Sequence, residues 1–285
     1  MSSYSDTEQY RDCGDTPAAR ADLRQHTVTV VFQGHSPVAQ SDAGQPAKYV
    51  GSMDLSQVMG ALGLSLISVT PVEIQKRLWA CIGFEEAGES LGDHPHLAMV
   101  YSDKDWLTQQ NLHAAVQGAL KGRRRVMVRI HSECILGDAF GSSMCDCGDQ
   151  LRLSMDEMES KREGILIYLR QEGRGIGLRN KLDCLALQYG FDQGVKGHRR
   201  YSSDEANVAM GFDVDHRHYD VAARLMQALG IASTQLITGN PKKIADLEAC
   251  GIKVEGALDL WTQGTSPRAM EEIQEKISRG YIYQR

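Results

Sequence analysis

The chain has 285 residues, 42% hydrophobic and 24% charged, with a formal net charge of −6, which supplies enough apolar sequence for a sizeable core in one large domain or two ordinary ones. No run of 18 apolar residues occurs, no apolar stretch follows a basic start, and the net charge is acidic, which speaks against membrane spanning, secretion and general nucleic-acid binding. Seven cysteines, an odd and scattered set, fit a reducing cytoplasm better than a disulfide framework.

Residues 1–26 are polar with little apolar periodicity and are expected to be disordered or loosely attached. Thr27 to Phe32 alternates as a strand does, and 34–48 is punctuated like a loop. Residues 52–63 predict a short helix, Arg77 to Gly83 and Leu97 to Tyr101 predict strands, and Trp106 to Leu120 a helix ending in the basic run Lys121 to Arg125, read as a solvated helix end. Val126 to Ile130 predicts a strand, and Leu151, Met155 and Met158 mark the inner stripe of the next helix. A strand over Gly164 to Arg170 leads into a glycine-rich loop and a helix whose expected inner face is Leu178, Leu182, Leu185 and Tyr189. Gln235 to Thr238 predicts a further strand, followed by the loop 239–243 and a helix turning Ile244 and Leu247 inward. Successive strand–loop–helix units imply a mixed, layered α/β fold with ligands at the strands' carboxyl ends.

Chemistry concentrates in three places. Cys134, Cys145 and Cys147 offer thiolates to a soft metal, and zinc on three protein ligands keeps a fourth position for water. A closed structural site completed by His131 or by a partner chain is the alternative the spacing leaves open. His131-Ser-Glu133 lacks the Pro-Cys-x-x-Cys partner of zinc deaminases. Glu172-Gly-Arg-Gly-Ile-Gly177 lacks the dinucleotide glycine order and reads as a turn that lets Arg174 reach an anion. Asn240-Pro-Lys-Lys243 is either a capped, solvated helix start or, beside a polyphosphate, an anion site.

Taken together, Arg129-Ile-His-Ser-Glu-Cys134, Asp138-Ala-Phe140, Cys145-Asp-Cys147, Arg170-Gln-Glu-Gly-Arg-Gly-Ile-Gly-Leu178 with Asn180-Lys181, Glu205-Ala-Asn207, Gly211-Phe212 and Asn240 to Lys243 resemble the GTP cyclohydrolase II family over roughly residues 76–260. The resemblance implies an α/β catalytic domain, usually a homodimer, that uses zinc to open the guanine imidazole ring of GTP at C8, releasing formate and pyrophosphate on the way to riboflavin. It makes Cys134, Cys145 and Cys147 the zinc ligands, and it makes Arg129, Ile130, His131, Ser132 and Glu133 part of the GTP site. It adds Gln150, Glu172, Gly173, Arg174, Ser203, Thr238 and Lys243 to the nucleotide-binding set. Asp215 would be the proton acceptor and Arg217 the group proposed to attack the α-phosphorus, with Mg2+ on the phosphates. A guanidinium is a poor nucleophile, so electrostatic stabilisation by Arg217 would serve as well.

Departures are informative. Leu185 stands where the family carries a catalytic tyrosine, so the expected product keeps its formyl group; Ser203 replaces a threonine, and Gly239 stands where asparagine is common. The expected organisation is residues 1–26 disordered, an extension of unknown role over 27–75, and a catalytic domain over 76–285, with an insertion near 104–122. A non-catalytic GTP-binding or regulatory homologue with structural zinc is the rival reading.

Overall fold

The computed structural model describes residues 53–89, 91–92, 94–260 and 266–283. The expectations for residues 1–26, for the strand at 27–32 and for the loop at 34–48 lie outside them.

The described chain runs α1 (Leu55–Ala61), β1 (Leu64–Ile74), β2 (Arg77–Glu86), β3 (His96–Ser102), α2 (Leu112–Leu120), β4 (Val126–Ser132), α3 (Ile135–Asp138), α4 (Cys147–Lys161), β5 (Glu163–Leu169), α5 (Gly177–Gln188), β6 (Phe191–Asp192), β7 (Val195–Lys196), α6 (Ser203–Ala209), α7 (Asp220–Ala228), β8 (Thr234–Ile237), α8 (Pro241–Ala249), β9 (Val254–Leu258) and α9 (Pro267–Ser278). Seven strands form one mixed sheet in the order β1-β2-β3-β5-β4-β8-β9. The pairs β1–β2, β2–β3 and β3–β5 are antiparallel, while β5, β4, β8 and β9 run parallel. The strands β6 and β7 make a separate hairpin.

The parallel half forms because β4 and β5 are almost wholly buried, as strands covered on both faces must be, with apolar runs broken in β4 only by Arg129, His131 and Ser132 at its carboxyl end. Period-two alternation sends Val126, Val128 and Ile130 of β4, with Ile165, Ile167 and Leu169 of β5, into a large core closed by α1, α2 and α7. Met127 and Leu166 face the other side, where Met158, Met155 and Leu151 of α4 cover them as the sequence stripe predicts. Full burial of such a side chain contributes roughly 1.5–3 kcal/mol.

Three expectations change. The expected boundary between 75 and 76 falls inside the β1–β2 turn of the continuous sheet, and Leu55, Met59 and Leu64 are buried in the main core. The helix expected from Trp106 begins at Leu112: Asp105 caps only a single 3-10 turn over Trp106–Thr108, and the Asn111 side chain accepts from Ala114 N–H to cap α2. Of the expected inner face of α5, Leu178, Leu182 and Tyr189 are exposed and only Leu185 is half-buried, while Cys184 and Gln188 are buried. The basic run after α2 does behave as a solvated end: Arg123 and Arg124 are exposed and pair with Glu163 and Glu255.

Candidate functional site

On β4 the alternation that sends Ile130 into the core leaves Arg129 and His131 on the α4 face, at the carboxyl end of the parallel strands. The chain then turns through α3 and enters α4. Cys134 precedes the first residue of α3, and Cys147 is the first of α4. Their Sγ atoms and that of Cys145 lie within 4.8 Å of one another, with Cys134 and Cys145 sulfurs 3.6 Å apart. Thiolates bound to tetrahedral zinc at about 2.3 Å would stand ~3.8 Å apart, so the donor set fits. Two glycines permit this closeness. A Cβ on Gly137 would meet the sulfurs of Cys134 and Cys145 at 3.2 Å, and one on Gly148 would lie 2.3 Å from the Gly137 carbonyl oxygen.

Cys134 is the most acidic of the three thiols. Hydrogen bonds from Cys145 and Cys147 push its thiol far below the ordinary value, with Lys181 acting in the same direction. The sharing raises Cys145 to about 12. His131 does not complete the set. Its Nε2 faces Asp138 at 3.1 Å, its ring stacks on Tyr168, and its burial disfavours the charged form. Asp138 also accepts from Cys134 N–H (2.9 Å) and Tyr168 OH (2.8 Å), so it binds β4, β5 and the cysteine loop together.

Two buried basic side chains share the cavity with the sulfurs. Arg129 donates to the Ile237 carbonyl (3.1 Å) and to Gln150 Oε1 (2.6 Å), while its buried Nε has no hydrogen-bond partner. Lys243 donates to the Ile130 carbonyl (2.8 Å). Burial, with Arg129 and Arg217 nearby, pulls its pKa well below the ordinary value. The start of α8 is capped as its sequence suggests: the Asn240 side chain accepts from Lys242 N–H, and Thr238 Oγ1 accepts from Asn240 N–H. Lys242 points to solvent and pairs with Asp246, whereas Lys243 turns inward. The motif thus combines a capped, solvated helix start with one lysine turned into the cavity.

The loop after β5 carries Gly173 and Arg174 in succession at positive φ (63° and 61°). A Cβ on Gly175 would sit 3.1 Å from the main chain of His216, whose N–H donates to the Arg174 carbonyl (3.0 Å). This close approach ties the loop to Asp215 and Arg217. Arg217 grips Asp215 with Nε (2.8 Å) and Nη2 (2.6 Å) and also donates to Tyr281 OH (3.2 Å). Burial works against the Asp215 carboxylate, but Arg217 outweighs it and holds the carboxyl below the ordinary range. Burial likewise opposes charge on Arg217, and Asp215 more than restores it.

Arg174 is not the free anion reader its loop suggests. Its Nη1 donates to Asp204 (2.6 Å), and Nη2, buried without a hydrogen-bond partner, lies 3.8 Å from Glu272 Oε1. Ser203 N–H donates to Glu275 (3.3 Å), and Glu133 accepts from Arg170 (2.8 Å).

One cavity is lined by every residue of the expected set except Asp215, which meets it through Arg217: the three cysteines, Arg129 through Glu133, Gln150, Glu172, Gly173, Arg174, Ser203, Thr238 and Lys243. Leu185 lines it too. Sequence reasoning gave no role to Asp138 or Lys181, although both stand in the motifs, and it missed α9 and the tail, whose Glu272, Glu275, Lys276 and Tyr281 also line the cavity. No short motif marks that last segment.

The GTP cyclohydrolase II family model matches residues 79–259. The chain is 45% identical over 139 residues to a riboflavin biosynthesis protein, RibBA, of Bacillus subtilis (49% of this chain, 33% of the relative). It is 40% identical over 171 residues to a probable bifunctional riboflavin biosynthesis protein, RIBA 2, of Oryza sativa subsp. japonica (60% and 29%). The matches thus span about a third of these relatives' length. A solved structure of a two-domain 3,4-dihydroxy-2-butanone 4-phosphate synthase from A. baumannii has a TM-score of 0.31 at 11% identity, covering 72% of this chain and 44% of that one, too slight a likeness to bear on the fold. With nearly two thirds of its length matched by the family model and its cysteine, arginine and lysine motifs gathered on one cavity, the chain belongs to the GTP cyclohydrolase II family.

Proposed function

We propose that the chain hydrolyses GTP, opening the guanine imidazole ring at C8 and releasing pyrophosphate. The observation that carries this reading is the convergence of three cysteine sulfurs and four basic side chains, the buried Arg129 and Lys243 and the half-buried Arg174 and Arg217, on one cavity. Cys134, Cys145 and Cys147 would hold zinc, which supplies a Lewis acid and lowers the pKa of bound water to about 7. The three arginines, and Lys243 once protonated beside the phosphates, would with Mg2+ on the nucleotide neutralise the triphosphate and the departing pyrophosphate.

Asp215 stays ionised and can take up a proton, while its two-point grip aims the Arg217 guanidinium. Because Asp215 keeps Arg217 cationic, this reading gives Arg217 electrostatic stabilisation of the α-phosphate rather than covalent attack. Glu133, Gln150, Glu172, Ser203 and Thr238 offer polar groups for base, sugar and phosphate. Leu185 presents no proton donor where formate would be lost, so the product keeps its formyl group. A cytoplasmic homodimer serving riboflavin synthesis or a related pathway is the setting the family resemblance suggests.

Cys145→Ser is expected to abolish both zinc retention, read by elemental analysis, and GTP consumption. Ring opening at the wild-type rate by zinc-free protein would refute the metal assignment.

A further inference from the structure

Lys181, in the second turn of α5, places its ammonium 3.1 Å from Cys134 Sγ and 2.7 Å from Glu172 Oε1. Glu172 is itself fixed: Oε2 accepts from Ile135 N–H (2.7 Å), the residue after Cys134, and Oε1 accepts from Gly173 N–H (2.9 Å). The carboxylate is buried and the ammonium nearly so. A Cβ on Gly173 would fall 2.9 Å from Lys181 Cβ, so glycine is what lets the lysine stem lie along this loop.

Three thiolates around a divalent ion leave one net negative charge in a buried place, and an uncompensated buried charge is costly. Hydrogen bonds from outside the ligand set also orient a ligand and tune its basicity. Lys181 supplies both at one sulfur, putting a full positive charge and an N–H donor on Cys134. The negative charge of Glu172 is shared among Lys181 and two backbone N–H groups, so the carboxylate acts as the clamp that aims the ammonium. The expected role of Glu172 in nucleotide binding is thereby joined by a structural one.

We infer that Lys181, held by Glu172, is a positioning residue that neutralises the three-cysteine metal site and orients Cys134. This rests on the zinc reading above.

The test measures the zinc Kd of the purified full chain by competition with a chromophoric chelator, together with the thiolate-to-metal absorption of the cobalt(II) form. Lys181→Met should raise the zinc Kd by about 10- to 100-fold, as losses of such outer partners typically do, and shift the cobalt band. Lys181→Arg, which keeps a cation, should recover most of the affinity. The metal-free variants should share the wild-type circular dichroism, separating metal tuning from folding. If Lys181→Met does not yield folded protein, Glu172→Gln reads the same claim, with a smaller expected rise in Kd from a less firmly aimed ammonium. A wild-type Kd and cobalt spectrum in Lys181→Met, or in Glu172→Gln where that is the variant measured, overturn the inference alone. A wild-type chain that holds no zinc overturns it together with the metal assignment.

Discussion

Arg174→Ala tests the phosphate assignment where the structure makes it least comfortable. The guanidinium joins Asp204 and Glu272, and its inner Nη2 has no hydrogen-bond partner in the cavity wall. A charge-assisted hydrogen bond from that nitrogen to phosphate is worth about 1.5–3 kcal/mol, or roughly 10- to 150-fold in affinity. The alanine variant also takes one of two cations from each of Asp204 and Glu272, which keep Arg279 (3.3 Å) and Lys276 (3.3 Å) respectively, so added carboxylate repulsion contributes to the loss within that range. Arg174→Lys should recover only part, because an ammonium cannot span Asp204 and a phosphate as the planar fork does. Glu272→Gln on the alanine background should recover some affinity by removing one repulsive charge. Titration calorimetry with GTP and with guanosine reads this difference. Equal losses for the two ligands, or no recovery from Glu272→Gln, would refute the placement of the phosphates at Arg174.

Lys243 should take up a proton when a polyphosphate binds, since its pKa is lowered in the free protein and the phosphates favour the charged form. Affinity should therefore weaken as pH rises through the window between the two values, and calorimetry in buffers of different ionisation enthalpy should show uptake that Lys243→Met removes. Gly148→Ala forces a Cβ against the Gly137 carbonyl oxygen, so it should cost about 1–3 kcal/mol in denaturant unfolding and weaken zinc retention; unchanged zinc affinity would show that the two cysteine segments can separate freely. Leu185→Tyr should release formate alongside pyrophosphate, by the 10²–10⁴-fold that a positioned acid–base group typically adds; a one-to-one yield from the unaltered chain would sink that reading.

The three clustered cysteines and most cavity residues were legible because they come as short motifs at strand ends, and the β4–α4–β5 unit because the apolar periods that face its core are clean. The strand β1 was missed because it is an edge with an irregular exposure pattern and carries Pro71. The face of α5 was misread because the side toward the site carries Lys181 and Gln188, so hydrophobicity does not mark what is buried. Pairings across long separations, such as Arg129 with the Ile237 carbonyl or Arg174 with Glu272, depend on the sheet order and leave no local pattern.

The most direct test is to incubate the zinc-loaded chain with GTP and magnesium and to identify the products by mass. GTP should disappear with one pyrophosphate for each ring-opened pyrimidine nucleotide, and the Cys145→Ser protein should yield none. GTP recovered intact from zinc-loaded, GTP-binding protein would contradict the account and favour a nucleotide-binding homologue without catalysis.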